Sequence, residues 1–144
     1  MMEKFDFLLG TWKMEYRVPE SEFSAAMTGS GTGTFSRALD DKYVYFDYSA
    51  SFSTGDKAEA HGIFAWDEKL KIHRYWWFEN SGSFMMATCR FIDEGVLSMN
   101  WHETLLSQTF TKTGSDRVVL RMAHPDSAGK PMTVMEVVFT KSEK

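Results

Sequence analysis

The densest group of side chains able to do chemistry is His73-Arg74-Tyr75-Trp76-Trp77-Phe78-Glu79. In an extended strand these residues alternate faces, with His73, Tyr75, Trp77 and Glu79 on one side and Ile72, Arg74, Trp76 and Phe78 on the other. Only one set can face an interior. The first would line an aromatic cavity carrying hydrogen-bonding groups; the second would place a cation where it could hold a carboxylate ligand. Both tryptophans could equally fill a core and cover a surface, for instance at a subunit contact. A second pair is Arg121, within Val118-Val119-Leu120-Arg121-Met122, and Glu136, within Val134-Met135-Glu136-Val137-Val138. If those two strands pair and point inward, the two charges would form a polar anchor, each needing the other because an unpaired buried charge is strongly unfavourable. Strand alternation favours the outward, solvated alternative.

Other chemistries are poorly supplied. His61 and His73 lie on neighbouring segments and could share a face, but two ligands do not hold a metal, and neither H-E-x-x-H nor H-x-H occurs. His102 and Glu103 would point to opposite faces. Cys89, between Thr88 and Arg90, has no base beside it and no G-x-S-x-G is present. Gly29-Ser30-Gly31-Thr32-Gly33 looks superficially like a phosphate loop, yet no helix N-terminus follows to receive the anion, and its surroundings read as strand. Acid–base work by Glu136, His73 or Asp47 would depend on burial.

The elements that must position these residues are marked by turn signals at Pro19-Glu20-Ser21, Leu39 to Lys42, Thr54-Gly55-Asp56, Asp67-Glu68-Lys69, Asn80-Ser81-Gly82, Asp93-Glu94-Gly95, around Leu105 to Ser107, Thr113 to Asp116, and across His124 to Pro131. Between them lie segments rich in Val, Thr, Phe, Tyr and Trp with a period of two. Thr11 to Val18 sets Trp12, Met14, Tyr16 and Val18 against Thr11, Lys13, Glu15 and Arg17. Tyr43 to Phe52 aligns Val44, Phe46, Tyr48, Ala50 and Phe52; Val118, Leu120 and Met122 share a face, as do Met135, Val137 and Phe139. A short helix over Glu3 to Leu9, stopped by Gly10, is the one helical piece expected. Short strands with hairpin-sized connections predict an all-β, single antiparallel up-and-down barrel of about ten strands, wide enough to hold a ligand as well as side chains. The whole chain, residues 1–144, reads as one domain with frayed ends at Met1 and at Lys141 to Lys144.

Composition narrows the function. With 16 Lys and Arg against 20 Asp and Glu the chain is acidic and has no basic run, which argues against nucleic acid. One Cys fits a reducing, cytosolic setting. The opening MMEKFDFLLGTWK reads as neither a signal peptide nor a membrane span, and no membrane association is expected. Twelve Phe, 5 Trp, 5 Tyr and 10 Met suit a core, and also an adaptable apolar cavity.

The order of certain residues adds a resemblance. Phe7-Leu8-Leu9-Gly10-Thr11-Trp12, a short helix running into Gly-x-Trp and an alternating strand, resembles the first strand of the calycins, the superfamily of lipocalins and fatty-acid-binding proteins. The likeness continues in Gly31-Thr32-Gly33-Thr34, Leu39 to Tyr43, Gly62-Ile63-Phe64-Ala65-Trp66-Asp67, His73 to Glu79, and Gly129-Lys130 before Met135-Glu136. Over nearly the whole chain this is similar to a bacterial family of unknown function with a lipocalin-like barrel. The resemblance implies that fold, a carried hydrophobic ligand by analogy, and, from the spacing of Asp67 to Trp77, an inward His73/Tyr75/Trp77 face. Two departures matter. The helical lid of fatty-acid-binding proteins has no room in the few residues around Pro19 to Ser24. The nitrobindins, haem-binding relatives, use a histidine near the chain end, whereas His124 falls in an expected turn.

The leading expectation is a lipocalin-like barrel binding a small, mostly hydrophobic molecule, with Tyr48, His73, Tyr75, Trp77 and Trp101 as lining and Met86 and Met99 as adaptable filler. No metal, cofactor or catalytic residue is assigned. The alternatives are an enzyme on a hydrophobic substrate with His73 or Glu136 as base, and a non-catalytic module, such as a homodimer, with a filled barrel.

Overall fold

Alternating residues do close the wall. In the computed structural model, which describes residues 1–142, a 3-10 helix (Met2–Leu8) precedes ten strands: β1 (Gly10–Val18), β2 (Met27–Ala38), β3 (Tyr43–Phe52), β4 (Lys57–Asp67), β5 (Ile72–Glu79), β6 (Phe84–Asp93), β7 (Val96–Trp101), β8 (Ser107–Gly114), β9 (Arg117–Pro125) and β10 (Pro131–Lys141). Each strand pairs antiparallel with its sequence neighbours, and β1 pairs with β10 through Trp12↔Lys141, Met14↔Phe139 and Tyr16↔Val137 to close the barrel. Among the described residues, closure leaves no free sheet edge for another chain to extend.

Up-and-down connectivity sends successive connections to opposite ends. At one end lie residues 39–42, 68–71, 94–95 and 115–116; at the other lie 19–26, 53–56, 80–83, 102–106 and 126–130. The N-terminal helix plugs the first end. Its Phe5 and Leu8 are wholly buried, and Phe5 meets Phe64 and Phe91 at centroid separations of 4.8 and 4.9 Å. Below them Phe35, Phe110, Phe139 and Trp12 complete a solid core. Gly10 makes the junction: its φ of +118° disfavours side-chain-bearing residues and turns the chain from helix into β1. Trp12 Nε1 donates to the Leu8 carbonyl at 2.7 Å, while Lys141 Nζ lies 4.5 Å from the Trp12 ring centroid and donates to the Leu9 carbonyl.

Several expectations change. The helix is 3-10 in type. Met1 and Lys141 are held rather than frayed, the former through its carbonyl at His73 and the latter at Trp12; residues 143 and 144 of the expected frayed end lie outside the described residues. Strand β9 runs on through His124 to Pro125, so His124 ends a strand and the hairpin is confined to 126–130. His61 and His73 do not share a face. The β4–β5 register pairs His61 with Phe78 and His73 with Trp66, which puts His61 outside, against Asp47, and His73 inside. Among the described residues no helix is long and apolar enough to cross a membrane.

Candidate functional site

Toward the end opposite the helix, the interior is hollow. A cavity of about 310 Å³ opens there, at the lower edge of the range usual for small-molecule sites. Its existence follows from what β2 and β4 leave out. In their helix-side halves these strands send Phe35 and Phe64 inward, but toward the mouth their inward positions are Gly33, Gly31 and Gly29, and Gly62, Ala60 and Ala58. The neighbouring strands' large side chains lean over these bare stretches: a Cβ on Gly62 would fall 1.8 Å from the Tyr75 hydroxyl, and one on Gly33 within 2.8 Å of Met14 Sδ and Phe46. Large side chains are thus interleaved with minimal ones, as in Tyr75–Ala87–Trp101 across β5, β6 and β7.

Strand β5 presents Tyr75, Trp77 and Glu79 to the cavity, and Tyr48 and Trp101 join them from β3 and β7. Tyr75 and Trp101 meet edge to face at 5.7 Å, as do Trp77 and Trp101 at 6.3 Å. Trp77 Nε1 donates to the Tyr48 hydroxyl at 2.9 Å, and Trp101 Nε1 donates to Gln108 Oε1 at 3.2 Å. Met14, Phe46, Phe52, Leu120, Met122 and Val137 supply the apolar remainder. No described protein group hydrogen-bonds the hydroxyls of Tyr16 and Tyr75, although the two residues are only 7% and 3% exposed. Among the described residues every fully enclosed side-chain polar atom has a partner, so these two hydroxyls are open to the cavity.

The remaining expected site residues lie elsewhere. His73 points inward but at the plugged end, where its ring packs on Trp66, Phe5 and Phe91 and its Nε2 lies 3.0 Å from the Met1 carbonyl. Met99 is fully buried beneath the cavity, 3.8 Å from Gln108 Nε2. Met86 is outside the barrel altogether. The register Trp77↔Met85 sends Met85 into the cavity and leaves Met86 on the outer wall beside Trp76. Arg74 is also external, bonded through Nε to Asp67 at 2.8 Å, and it holds the Asp67 carboxyl below its ordinary range. Glu136 faces outward between Arg121 and Arg17, at 3.2 and 3.7 Å, so the polar anchor considered from the sequence does not enter the barrel. His124 packs edge-on against Phe23 and does not line the cavity.

Burial governs the ionisation of the groups in and beneath the cavity. Burial pushes the Tyr48 phenol up to about 12, against the opposing hydrogen bond from Trp77, and raises Tyr16 and Tyr75 as well. All three are therefore neutral hydroxyls near pH 7. Burial likewise raises the Cys89 thiol, which is fully enclosed, so its nucleophilic thiolate is suppressed. Among the described lining residues there is one carboxylate, Glu79, and no Lys, Arg, His or Cys. Among the described residues no group of three His, Cys, Asp or Glu is arranged to hold a metal ion.

The period of two groups Tyr16 with Trp12 and Met14, and Phe46 and Phe52 with Tyr48, but does not by itself join Tyr16, Phe46 and Phe52 to the site. The missed signal was the paired period-two columns of Gly and Ala in β2 and β4.

No protein-family model and no curated protein matches the chain. Solved structures do. Rv2717c from M. tuberculosis superposes with a TM-score of 0.69 at 9% identity, over 99% of this chain and 97% of that one. The S-type phycobiliprotein lyase CPES from Guillardia theta gives 0.62 at 10% identity, over 99% and 92%. A redesigned β-barrel, mFAP0, bound to DFHBI gives 0.53 at 12% identity, over 94% and 99%. At these identities the likeness is one of fold.

Proposed function

We propose that this protein reversibly binds a small, mostly hydrophobic molecule in the mouth half of its barrel. The observation that carries the reading is the roughly 310 Å³ apolar cavity furnished with unpartnered Tyr16 and Tyr75 hydroxyls. Dehydration of aromatic and Met surface would drive binding, while the hydroxyls orient the guest. The similar redesigned barrel bound to DFHBI supports the principle that such a wall can serve a ligand. We read Tyr48, Tyr75, Trp77 and Trp101 as contact residues. His73 is a packing residue of the plugged end, Met99 supports the cavity from beneath, and Met86 belongs to the exterior. The motif order and ten-strand closure support a calycin-type carrier of bacterial kind, and the lone buried thiol suits the cytosol.

Native mass spectrometry, followed by the same sample denatured, tests this directly, with titration of the Trp emission by neutral N-phenyl-1-naphthylamine in parallel. A co-purified mass released on denaturation, or saturable energy transfer from Trp77 and Trp101, is the expected result. An apo mass together with no response to the probe overturns it.

A second reading concerns the outside of β5 and β6. There Trp76 opposes Met86, and Phe78, 44% exposed, opposes Phe84, 73% exposed, forming a continuous apolar strip. Such a strip suits self-association. Sedimentation velocity would show a dimer that Phe84→Asp dissolves; a monomer at all concentrations removes this reading.

A further inference from the structure

The charge pattern of the cavity narrows its guest further, on the premise that it is a binding site. Glu79 ends β5 at the mouth with its side chain on the inner face, where Oε1 accepts a hydrogen bond from Ser81 Oγ at 2.7 Å. Among the described residues no Lys, Arg or His lies within salt-bridge distance of it; Arg74 pairs with Asp67, and Arg17 and Arg121 both pair with Glu136 on the outer wall. Its charge reaches into the cavity, where it contributes to raising the Tyr16 and Tyr48 phenols.

The surroundings repeat the sign. The loops around the mouth carry Glu20, Glu22, Asp56, Glu103 and Asp126, against Lys57 at the start of β4 and Lys130, with His102 and His124 beside them. The plugged end is mixed, with Lys4, Arg37, Lys42, Lys69, Lys71 and Lys112 among its acids. A low-dielectric cavity with an acidic rim concentrates cations and repels anions. Inside, Trp77 and Trp101 stand at 74° to one another, and Tyr16 and Tyr48 present further aromatic surface. Ring faces of this kind attract an ammonium group while leaving a carboxylate unsolvated. A guest carboxylate here would be buried beside a like charge with no protein cation to meet it.

We propose that the cavity selects a hydrophobic amine in its cationic form, protonated or quaternary, with its apolar body among Met14, Phe46 and Leu120 and its ammonium group between Glu79 and the Trp77–Trp101 corner. The apolar body fits the deep part of the cavity, and the Tyr16 and Tyr75 hydroxyls take a polar substituent on it. Fatty acids and other apolar carboxylates are excluded by the same geometry.

The test is calorimetric titration with three probes sharing one body: 2-naphthylmethanol, 2-naphthylacetate and (2-naphthylmethyl)trimethylammonium, at pH 7 and low salt. The ammonium probe should bind about tenfold more tightly than the alcohol, and the carboxylate most weakly. Glu79→Gln should remove most of the ammonium probe's advantage and leave the alcohol within about twofold. If alcohol and ammonium bind equally to the wild-type protein, or if the carboxylate binds best, charge selection is overturned while the binding cavity stands. Charge selection is overturned equally if Glu79→Gln folds and keeps the full ammonium advantage. Should that variant fail to fold, the wild-type ratio decides alone. If none of the three binds, the cavity reading falls, and this one with it.

Discussion

The plugged end and the mouth of the barrel are cut from the same ten strands with the same alternation, yet one half is solid and the other hollow. The contrast is sharpest along β2 and β4. Strand β2 passes from inward Phe35 to Gly33, Gly31 and Gly29, and β4 from inward Phe64 to Gly62, Ala60 and Ala58. At the plugged end the helix adds Phe5 and Leu8 to a space that the strands already nearly fill; at the mouth nothing is added and less is supplied. A single up-and-down wall can therefore hold its solid core and its cavity in separate halves. Ring packing carries the first, and omitted side chains create the second.

The separation is broken most severely by Phe5→Ala. Phe5 is wholly buried among Phe64, His73 and Phe91, so its truncation should cost about 3–5 kcal/mol in denaturant unfolding. Affinity for N-phenyl-1-naphthylamine in the folded protein should stay within about twofold, about 0.4 kcal/mol or less. A variant that unfolds little, or one that stays folded but loses the probe, would show that the halves are coupled.

Gly62→Ala attacks the boundary from the other side. The new methyl would overlap the Tyr75 phenol and drive that ring toward the cavity, costing about 1–3 kcal/mol and shrinking the space for the probe. Adding Tyr75→Leu, which removes the ring atoms within 2.4 Å of the new Cβ, should restore part of the stability, so that the double-mutant cycle shows a favourable coupling. Strict additivity would mean that the close approach of Tyr75 to Gly62 is not what this position is for.

Much of this contrast was open to reading in the sequence, and the remainder was hidden for identifiable reasons. Alternation set the faces of β1, β3, β9 and β10 because each carries unambiguous pairs such as Trp12 beside Lys13 or Glu136 beside Val137. It failed on β6, where Phe84 and Met86 look more like core than Ala87 and Cys89. Tyr75 and Trp101 claim the space on the inner face between them, so Ala87 goes in, with Cys89 beside it, while Phe84 and Met86 go out. Alternation also cannot say at which height along the wall a residue sits. His73 and Trp77 were rightly given one face, but they are four residues apart along a strand that rises about 3.3 Å per residue, enough to put one under the helix and the other at the mouth. The helix docking that separates them is a long-range contact with no local signature.

Trp77→Ala probes the mouth alone. Trp77 borders the cavity and is only partly buried, so its loss should lower stability by less than that of Phe5 while weakening N-phenyl-1-naphthylamine by roughly tenfold, about 1.4 kcal/mol. Probe emission, read without reliance on the removed donor, makes the comparison. Unchanged affinity in the folded variant would take Trp77 out of the site.

The smallest effect separates the halves by their tolerance of charge. Burial among Phe5, Trp66 and Phe91 disfavours the His73 imidazolium, with Lys4 and the N-terminal amine acting in the same direction; the Met1 carbonyl and Glu3 oppose them and lose. The folded pKa therefore lies below the unfolded value of about 6.5. Between the two, the unfolded chain binds a proton that the native chain does not, so this contribution to stability is complete above the unfolded value and declines as the pH falls through the window, levelling off below the folded pKa. Urea unfolding from pH 7.5 to pH 5 should show a steeper loss for wild type than for His73→Gln, which cannot take up the proton. Equal slopes would mean that the plugged end admits the charge after all, and would leave Glu79 without its contrast.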